Sequence, residues 1–159
     1  MREPSHGLGG SGAEVRLQHR KVVAVPELTT EVLHRSGIKR GSHVLDLGCG
    51  VGDISLLIAR LVGPTGLVVG VDEQAQVIDL AERRATVARQ CYWARFVAAD
   101  PSTFIAHELF DAVVVRLDIR LQPEHATFAR LSACIHPDGV IMILASRPSG
   151  SPTAPSNRE

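Results

Sequence analysis

The sequence predicts an α/β fold, a three-layer sandwich whose parallel sheet runs in the order 3-2-1-4-5 between layers of helix. Two observations carry this. Apolar runs of strand length alternate along the chain with segments whose apolar residues recur at helical spacing, so each strand returns to the sheet through a helix. The stretch Val44-Leu45-Asp46-Leu47-Gly48-Cys49-Gly50-Val51-Gly52, followed by Ile54, Leu57, Ile58 and Leu61, then sets a buried strand, a tight glycine turn and a helix in direct succession. Glycine lets the backbone of such a turn approach a ligand with no Cβ in the way. The helix beyond it points unsatisfied N–H groups into the turn, which makes it the natural seat of a nucleotide-like ligand.

Composition narrows the class. A chain of 159 residues suits one domain with a real core, and 45% hydrophobic with 21% charged residues is a globular composition. Lys plus Arg and Asp plus Glu number 17 each, and no basic run stands out, so a general nucleic-acid surface is not expected. No apolar segment approaches the ~20 residues of a membrane span, and the N-terminus lacks the pattern of a secretory signal. The three cysteines, Cys49, Cys91 and Cys134, stand apart from one another. They make neither a disulfide framework nor a metal-ligand spacing, which fits a reducing, cytoplasmic setting and no bound metal.

The elements follow in order. Residues 1–12 are rich in Gly, Ser and Pro and read as a flexible end. Residues 13–25 form a weakly amphipathic helix, and Pro26 starts a second one that runs to about Arg35 and stops at Gly37. After the strand–turn–helix unit, Gly63-Pro64-Thr65-Gly66 is a turn, and residues 67–71 form a strand ending at Asp72. Residues 74–89 read as a helix with Val77, Ile78, Ala81, Ala85 and Ala88 inward and Glu82, Arg83 and Arg84 as a solvated charge run. Residues 95–99 make a third strand, 102–108 a short helix and 110–116 a fourth strand. Pro123 opens a helix lined by Phe128, Leu131 and Ile135; His136-Pro137-Asp138-Gly139 is a turn, and residues 140–144 form a fifth strand. Residues 13–145 are thus the folded domain, and the Ser/Pro-rich residues 146–159 a loose tail.

The charges select the ligand. A dinucleotide fingerprint is Gly-x-Gly-x-x-Gly on a helix that receives a pyrophosphate. Here the pattern is Gly-x-Gly-x-Gly, with Asp46 before it and Asp53 directly after it, and no Lys-Ser/Thr follows. Two flanking carboxylates disfavour a diphosphate, and NAD with it, and suit a ligand carrying positive charge. Asp46-Leu47-Gly48-Cys49-Gly50-Val51-Gly52 resembles motif I of the class I S-adenosylmethionine-dependent methyltransferases, whose Rossmann-like domain binds a cofactor with an ammonium and a sulfonium.

Asp72 follows Gly52 by twenty residues, the separation at which an acid at the end of the second strand reaches ribose hydroxyls; capping the next helix is its other available role. The resemblance covers residues 14–145 and implies a cofactor site from Asp46, Gly48, Cys49, Gly50, Asp53, Asp72, Glu73, Ala99, Asp100 and Arg116. In it Asp72 takes the ribose, Asp100 accepts from the adenine amino group and Ala99 supplies a backbone contact. Phe110-Asp111-Ala112-Val113-Val114 resembles the family's fourth motif, whose downstream end lies beside the transferring methyl. Arg116 there contacts the substrate or the cofactor carboxylate, or forms a structural ion pair with Asp118 or Asp100. In the same resemblance the N-terminal helices lie over the cofactor and wall the substrate site, within reach of His19 or Arg20, for which solvated helix positions are the other reading.

The implied activity is methyl transfer to a small-molecule acceptor. No motif for nucleobase or protein-amide methylation is present. His19, His107 and His125 have a suitable ordinary pKa for a general base, yet no spacing singles one out, so no catalytic residue is assigned. The family's sixth and seventh strands have no counterpart before residue 159. Their absence leaves the fifth strand an apolar edge, to be covered by a second copy in a homodimer or by a partner or the tail. It also leaves open a non-catalytic or repurposed cofactor-binding protein.

Overall fold

The computed structural model describes residues 26–118 and 125–146. Five strands, β1 (His43–Leu47), β2 (Leu67–Asp72), β3 (Ala94–Ala98), β4 (Phe110–Asp118) and β5 (Ile135–Ser146), form one parallel sheet in the order β3-β2-β1-β4-β5. The helices are α1 (Pro26–Arg35), α2 (Asp53–Val62), α3 (Ala75–Val87) and α4 (His125–Ala133). Class and strand order are those expected from the alternating pattern, and helices make every connection but the one from β3 to β4.

Side chains alternate across a strand, so the central strands must find apolar neighbours on both faces. On one face Val44, Val68, Ala112, Val114 and Met142 pack with Leu33 near the end of α1 and with Ile54, Ile58 and Val62 of α2. On the other, Leu45, Leu47, Val71, Val113 and Val115 pack with Leu131 of α4. Burial on both faces explains why the strands read as continuous apolar runs. β1 is central: Leu47 lies level with Val71 of β2 and Val115 of β4, so three strands end together at the carboxyl edge of the sheet.

Several expectations change. Residues 102–108 make a single turn and no helix. The Asp100 carboxylate accepts from Ser102 N at 2.7 Å, and the Asp100 carbonyl accepts from Thr103 and Phe104. Beyond this turn Phe104 and Ala106 pack on the core while Ile105 stays exposed, an alternation that a helix could not supply. Ile135 begins β5 opposite Phe110 instead of ending a helix, and residues 136–139 bulge out of that strand before Val140 pairs with Ala112. Gly139 allows the bulge, because a Cβ there would lie 2.9 Å from the Asp111 carbonyl oxygen. Ala88 is exposed, one residue beyond α3.

The helix expected at 13–25, Pro123, and the tail beyond Ser146 lie outside the described residues. Among the described residues β5 pairs with β4 alone, and Val140 and Ile143 are 36% and 43% exposed. No described helix is long and apolar enough to cross a membrane.

Candidate functional site

In an open parallel sheet the ligand crevice forms beyond the carboxyl ends of the strands where the strand order reverses. In this order the reversal lies between β1 and β4. The loop after β1 is pinned at its start, with Gly48 and Cys49 amides donating to the Val71 carbonyl at 2.8 and 3.0 Å. Gly48 has φ 77°, and a Cβ built on it would meet nothing within 4 Å. The space above the loop is therefore open where a ligand would lie. Gly52 is glycine for a different reason. At φ 79° its added Cβ would sit 3.0 Å from Phe96 Cζ and 3.1 Å from Ala81 Cβ, so it lets α2 leave the loop tightly against β3 and α3.

Asp72 closes the other side. Its Oδ2 accepts from Gly50 N at 2.9 Å, and its Oδ1 from Gln74 N at 3.1 Å. One carboxylate thus latches the glycine loop and the approach to α3. An ionised carboxylate has about four acceptor positions, so Asp72 can still take hydroxyl donors from a ligand. It also occupies the Gly50 amide that a phosphate would need, which supports the reading against a diphosphate.

Asp46 is fully buried beneath the loop, and Ser55 of α2 donates to its Oδ2 at 2.6 Å. Burial pushes its carboxyl above the usual carboxylate range. The Arg116 guanidinium and the Ser55 hydroxyl oppose that shift, and the nearby Asp72 charge adds to it. Asp46 Oδ1 has no hydrogen-bond partner among the described residues. Arg116, at the carboxyl end of β4, lies over the loop, its Nη2 3.6 Å from where a Cβ on Gly50 would stand. Its Nε and Nη2 are buried and also lack partners among the described residues. The suggested ion pair with Asp100 is not formed, since Asp100 is taken up by Ser102.

Asp53, Cys49 and Ala99 are each engaged within the fold. Asp53 was read as one of two carboxylates facing the ligand, but its Oδ1 accepts from Arg84 Nη2 at 2.5 Å. Arg84 also donates from Nη1 to the Val51 carbonyl at 2.7 Å. It is therefore a clamp from α3 onto the loop and not part of a solvated charge run. Cys49 turns its side chain into the core. Its thiol is fully buried, 3.0 Å from where a Cβ on Gly70 would lie, and burial pushes it far above the ordinary thiol range. Ala99 is half-buried and donates its amide to the Asp72 carbonyl at 2.9 Å, which leaves its carbonyl and side chain for a ligand.

Glu73 and Asp100 are exposed at the ends of β2 and β3. The hydrogen bond from Ser102 holds Asp100 below the usual carboxylate range, so it is an acceptor at neutral pH. His107 is exposed between β3 and β4, His19 lies outside the described residues, and nothing places either against the crevice. Ser55 and Arg84 were missed by the sequence reading, although both had a signal. Ser55 shares the inward spacing of Ile58, Ala59 and Val62, so its hydroxyl needed a buried partner. Arg84 follows Val77 by seven and Ala81 by three, at the border of the inward face.

The sequence matches the methyltransferase domain family over residues 44–139. The chain belongs to that family. Its members are S-adenosylmethionine-dependent enzymes of class I, and the stretch matched contains the loop, Asp72 and Arg116. Among curated relatives, the demethylmenaquinone methyltransferase of Staphylococcus saprophyticus is 28% identical over 126 residues, 78% of this chain and 52% of that protein. The 2-phytyl-1,4-beta-naphthoquinone methyltransferase of Arabidopsis thaliana is 45% identical over 58 residues, 36% of this chain and 22% of that protein.

Among solved structures, a SAM-dependent methyltransferase from Aquifex aeolicus superposes with a TM-score of 0.69 at 19% identity, covering 86% of this chain and 76% of that one. One from Thiobacillus denitrificans, in complex with S-adenosyl-L-homocysteine, gives 0.64 at 22%, covering 74% and 47%. These two likenesses are of fold. The chain spans about half the length of the demethylmenaquinone methyltransferases it matches.

Proposed function

We propose that this chain binds S-adenosylmethionine in the crevice between β1 and β4 and directs its methyl group to a small-molecule acceptor. The observation that carries the reading is the latched loop: Gly48 opens onto empty space, and Asp72 holds the Gly50 amide while keeping acceptor capacity. When bound, the cofactor supplies an activated methyl on a sulfonium, so the protein's task is alignment rather than bond polarisation. Asp72 accepts from the ribose hydroxyls. Asp100, kept ionised by Ser102, accepts from the adenine amino group, with Ala99 and Glu73 beside it. Gly48, Cys49 and Gly50 present backbone, while Asp53 acts through Arg84 to hold the loop.

Quinol rings are the first acceptors to screen, because relatives at 28% identity methylate demethylmenaquinone by name. The free cysteines support a cytoplasmic setting. We also expect a second copy of the chain to cover the β5 edge, where Val140 and Ile143 are exposed; light scattering that finds a monomer at tens of micromolar would remove that expectation.

The deciding experiment is calorimetric titration with S-adenosylhomocysteine, repeated with Asp72→Ala. Removing a charged acceptor from two hydroxyls predicts a loss of about 10- to 100-fold in affinity. No binding by the unsubstituted chain would sink the reading.

A further inference from the structure

β3 is the edge of the sheet opposite β5, and among the described residues it pairs with β2 alone. Val68 N donates to the Trp93 carbonyl, and Ala99 N to the Asp72 carbonyl. A parallel pair bonds through every second residue, so Trp93, Arg95, Val97 and Ala99 turn their backbone toward β2. The backbone of Ala94, Phe96 and Ala98 therefore faces outward. The Gln90 carbonyl takes the Ala94 amide at 2.8 Å. The amides of Phe96 and Ala98 and the carbonyls of Ala94, Phe96 and Ala98 remain as an unfilled ladder, a template for one more strand.

This edge is also bare on one face. Arg95 and Val97 lie level with Val69 and Val71, on the face of the sheet where α4 packs. The connection from β3 to β4 carries no helix, and both side chains stay exposed. Tyr92, just before the strand, is 84% exposed. Between Glu82 and Asp100 the chain holds four arginines and no acid. Arg84 is engaged by Asp53, whereas Arg89 and Arg95 make no ion pair among the described residues. Arg89 has φ 57° just after α3, where Gln90 N closes the helix on the Ala85 carbonyl at 2.8 Å. Glycine is the residue that position favours, so this cation is held there against backbone strain.

The charges choose among occupants. A second β3 paired about a two-fold axis would gather the arginines of both copies. A phosphate backbone would answer the arginines but set its own charge against the outward carbonyls. An extended acidic polypeptide answers both the ladder and the cations. We propose that the β3 edge docks an extended, acidic segment of a partner protein, added to the sheet as a further strand. Its carboxylates meet Arg89 and Arg95, and its apolar residues lie on Val97 and Tyr92. The surface runs along β3, outside the crevice at the carboxyl ends of the strands.

The test uses short fluorescein-labelled peptides of alternating Val and Glu, with Gln or Lys in place of Glu as controls. Binding to the full chain is read by fluorescence anisotropy at low salt. The Glu peptide should bind most tightly and the Lys peptide most weakly. Arg95→Glu should weaken the Glu peptide on the order of tenfold and strengthen the Lys peptide, with the melting temperature unchanged. Amide hydrogen exchange by NMR reads the pairing itself. Phe96 and Ala98 should exchange fast in the free chain and slow down with the Glu peptide bound, while Arg95 and Val97 are slow throughout. Equal binding of the Gln peptide would overturn the proposal, as would no binding of the Glu peptide at about 1 mM. Slow exchange at Phe96 and Ala98 in the free chain would overturn it too, because the chain itself or a second copy would then fill the edge. An oligothymidylate that displaces the Glu peptide at lower concentration would assign the surface to nucleic acid instead.

Discussion

Gly48→Ala and Gly52→Ala make the same chemical change in one loop and should fail in opposite ways. Both positions have φ near 80°, in the left-handed region that costs a residue with a Cβ about 1–2 kcal/mol. At Gly52 the methyl also meets Phe96 Cζ at 3.0 Å, Ala81 Cβ at 3.1 Å and Phe96 Cε1 at 3.1 Å, all in packed core. Overpacking of this kind adds about 1–3 kcal/mol. Gly52→Ala should therefore lose about 2–5 kcal/mol, a large share of the ~5–15 kcal/mol that holds a domain folded. At about 2–4 °C per kcal/mol, the melting temperature should fall by roughly 4–20 °C.

At Gly48 the methyl meets nothing within 4 Å, so only the backbone cost of about 1–2 kcal/mol applies. That methyl stands in the crevice, and S-adenosylhomocysteine should bind at least about tenfold more weakly. Urea denaturation and calorimetric titration on both variants separate the two outcomes. Gly52→Ala with unsubstituted stability would refute the packing argument. Gly48→Ala with unsubstituted affinity would refute the placement of the ligand.

Other outcomes follow from the same geometry. Arg84→Met removes charge-assisted bonds to Asp53 and the Val51 carbonyl, and should cost about 1.5–3 kcal/mol in urea denaturation. Arg84→Lys should recover only part, because one ammonium cannot repeat the fork; full recovery by Lys would contradict the clamp. Ser55→Ala strips the buried donor from Asp46 and should cost about 1–3 kcal/mol, with a cost near zero counting against the pair. Asp46 also sets a pH dependence. Its folded pKa lies above the ordinary 3.8, so the folded chain holds that proton more tightly than the unfolded one. Its contribution to stability therefore falls as pH rises from about 3.8 through the raised value, and the full penalty is present above it. Compared with Asp46→Asn by urea denaturation at several pH values, the unsubstituted chain should lose ground as pH climbs through that window. A difference that stays flat would show that Asp46 titrates normally.

The sheet was legible because its central strands are buried on both faces and three of its four connections are helical, so apolar runs and helical periodicity mark every element of the centre. Val44 to Leu61 needed nothing more. Legibility failed where a short local interaction outweighed the pattern. Asp100 and Ser102 close a turn where a helix was expected, and the bulge at residues 136–139 hides the first residue of β5 behind turn chemistry. Within the site, spacing alone located the loop and Asp72, because a chain connection fixes both. The partner of Asp53 lies 31 residues away on α3, and nothing in the sequence around either residue announces the pair. Counting carboxylates beside the loop therefore overstated its charge, since one of them is countered by Arg84.

Cys49 gives the site a reporter of its own. Its thiol is enclosed by the glycine loop above and by Gly70 and Phe96 behind, and burial keeps it protonated. A thiol in that state cannot be alkylated until the loop lifts, whereas the exposed Cys91 can react at once. With Cys134, the half-buried third thiol, replaced by Ser, the slow phase of alkylation measures how often the empty loop opens, and whatever fills the crevice must lengthen it. Resistance to a thiol reagent becomes a ligand assay that needs neither a label nor knowledge of the acceptor.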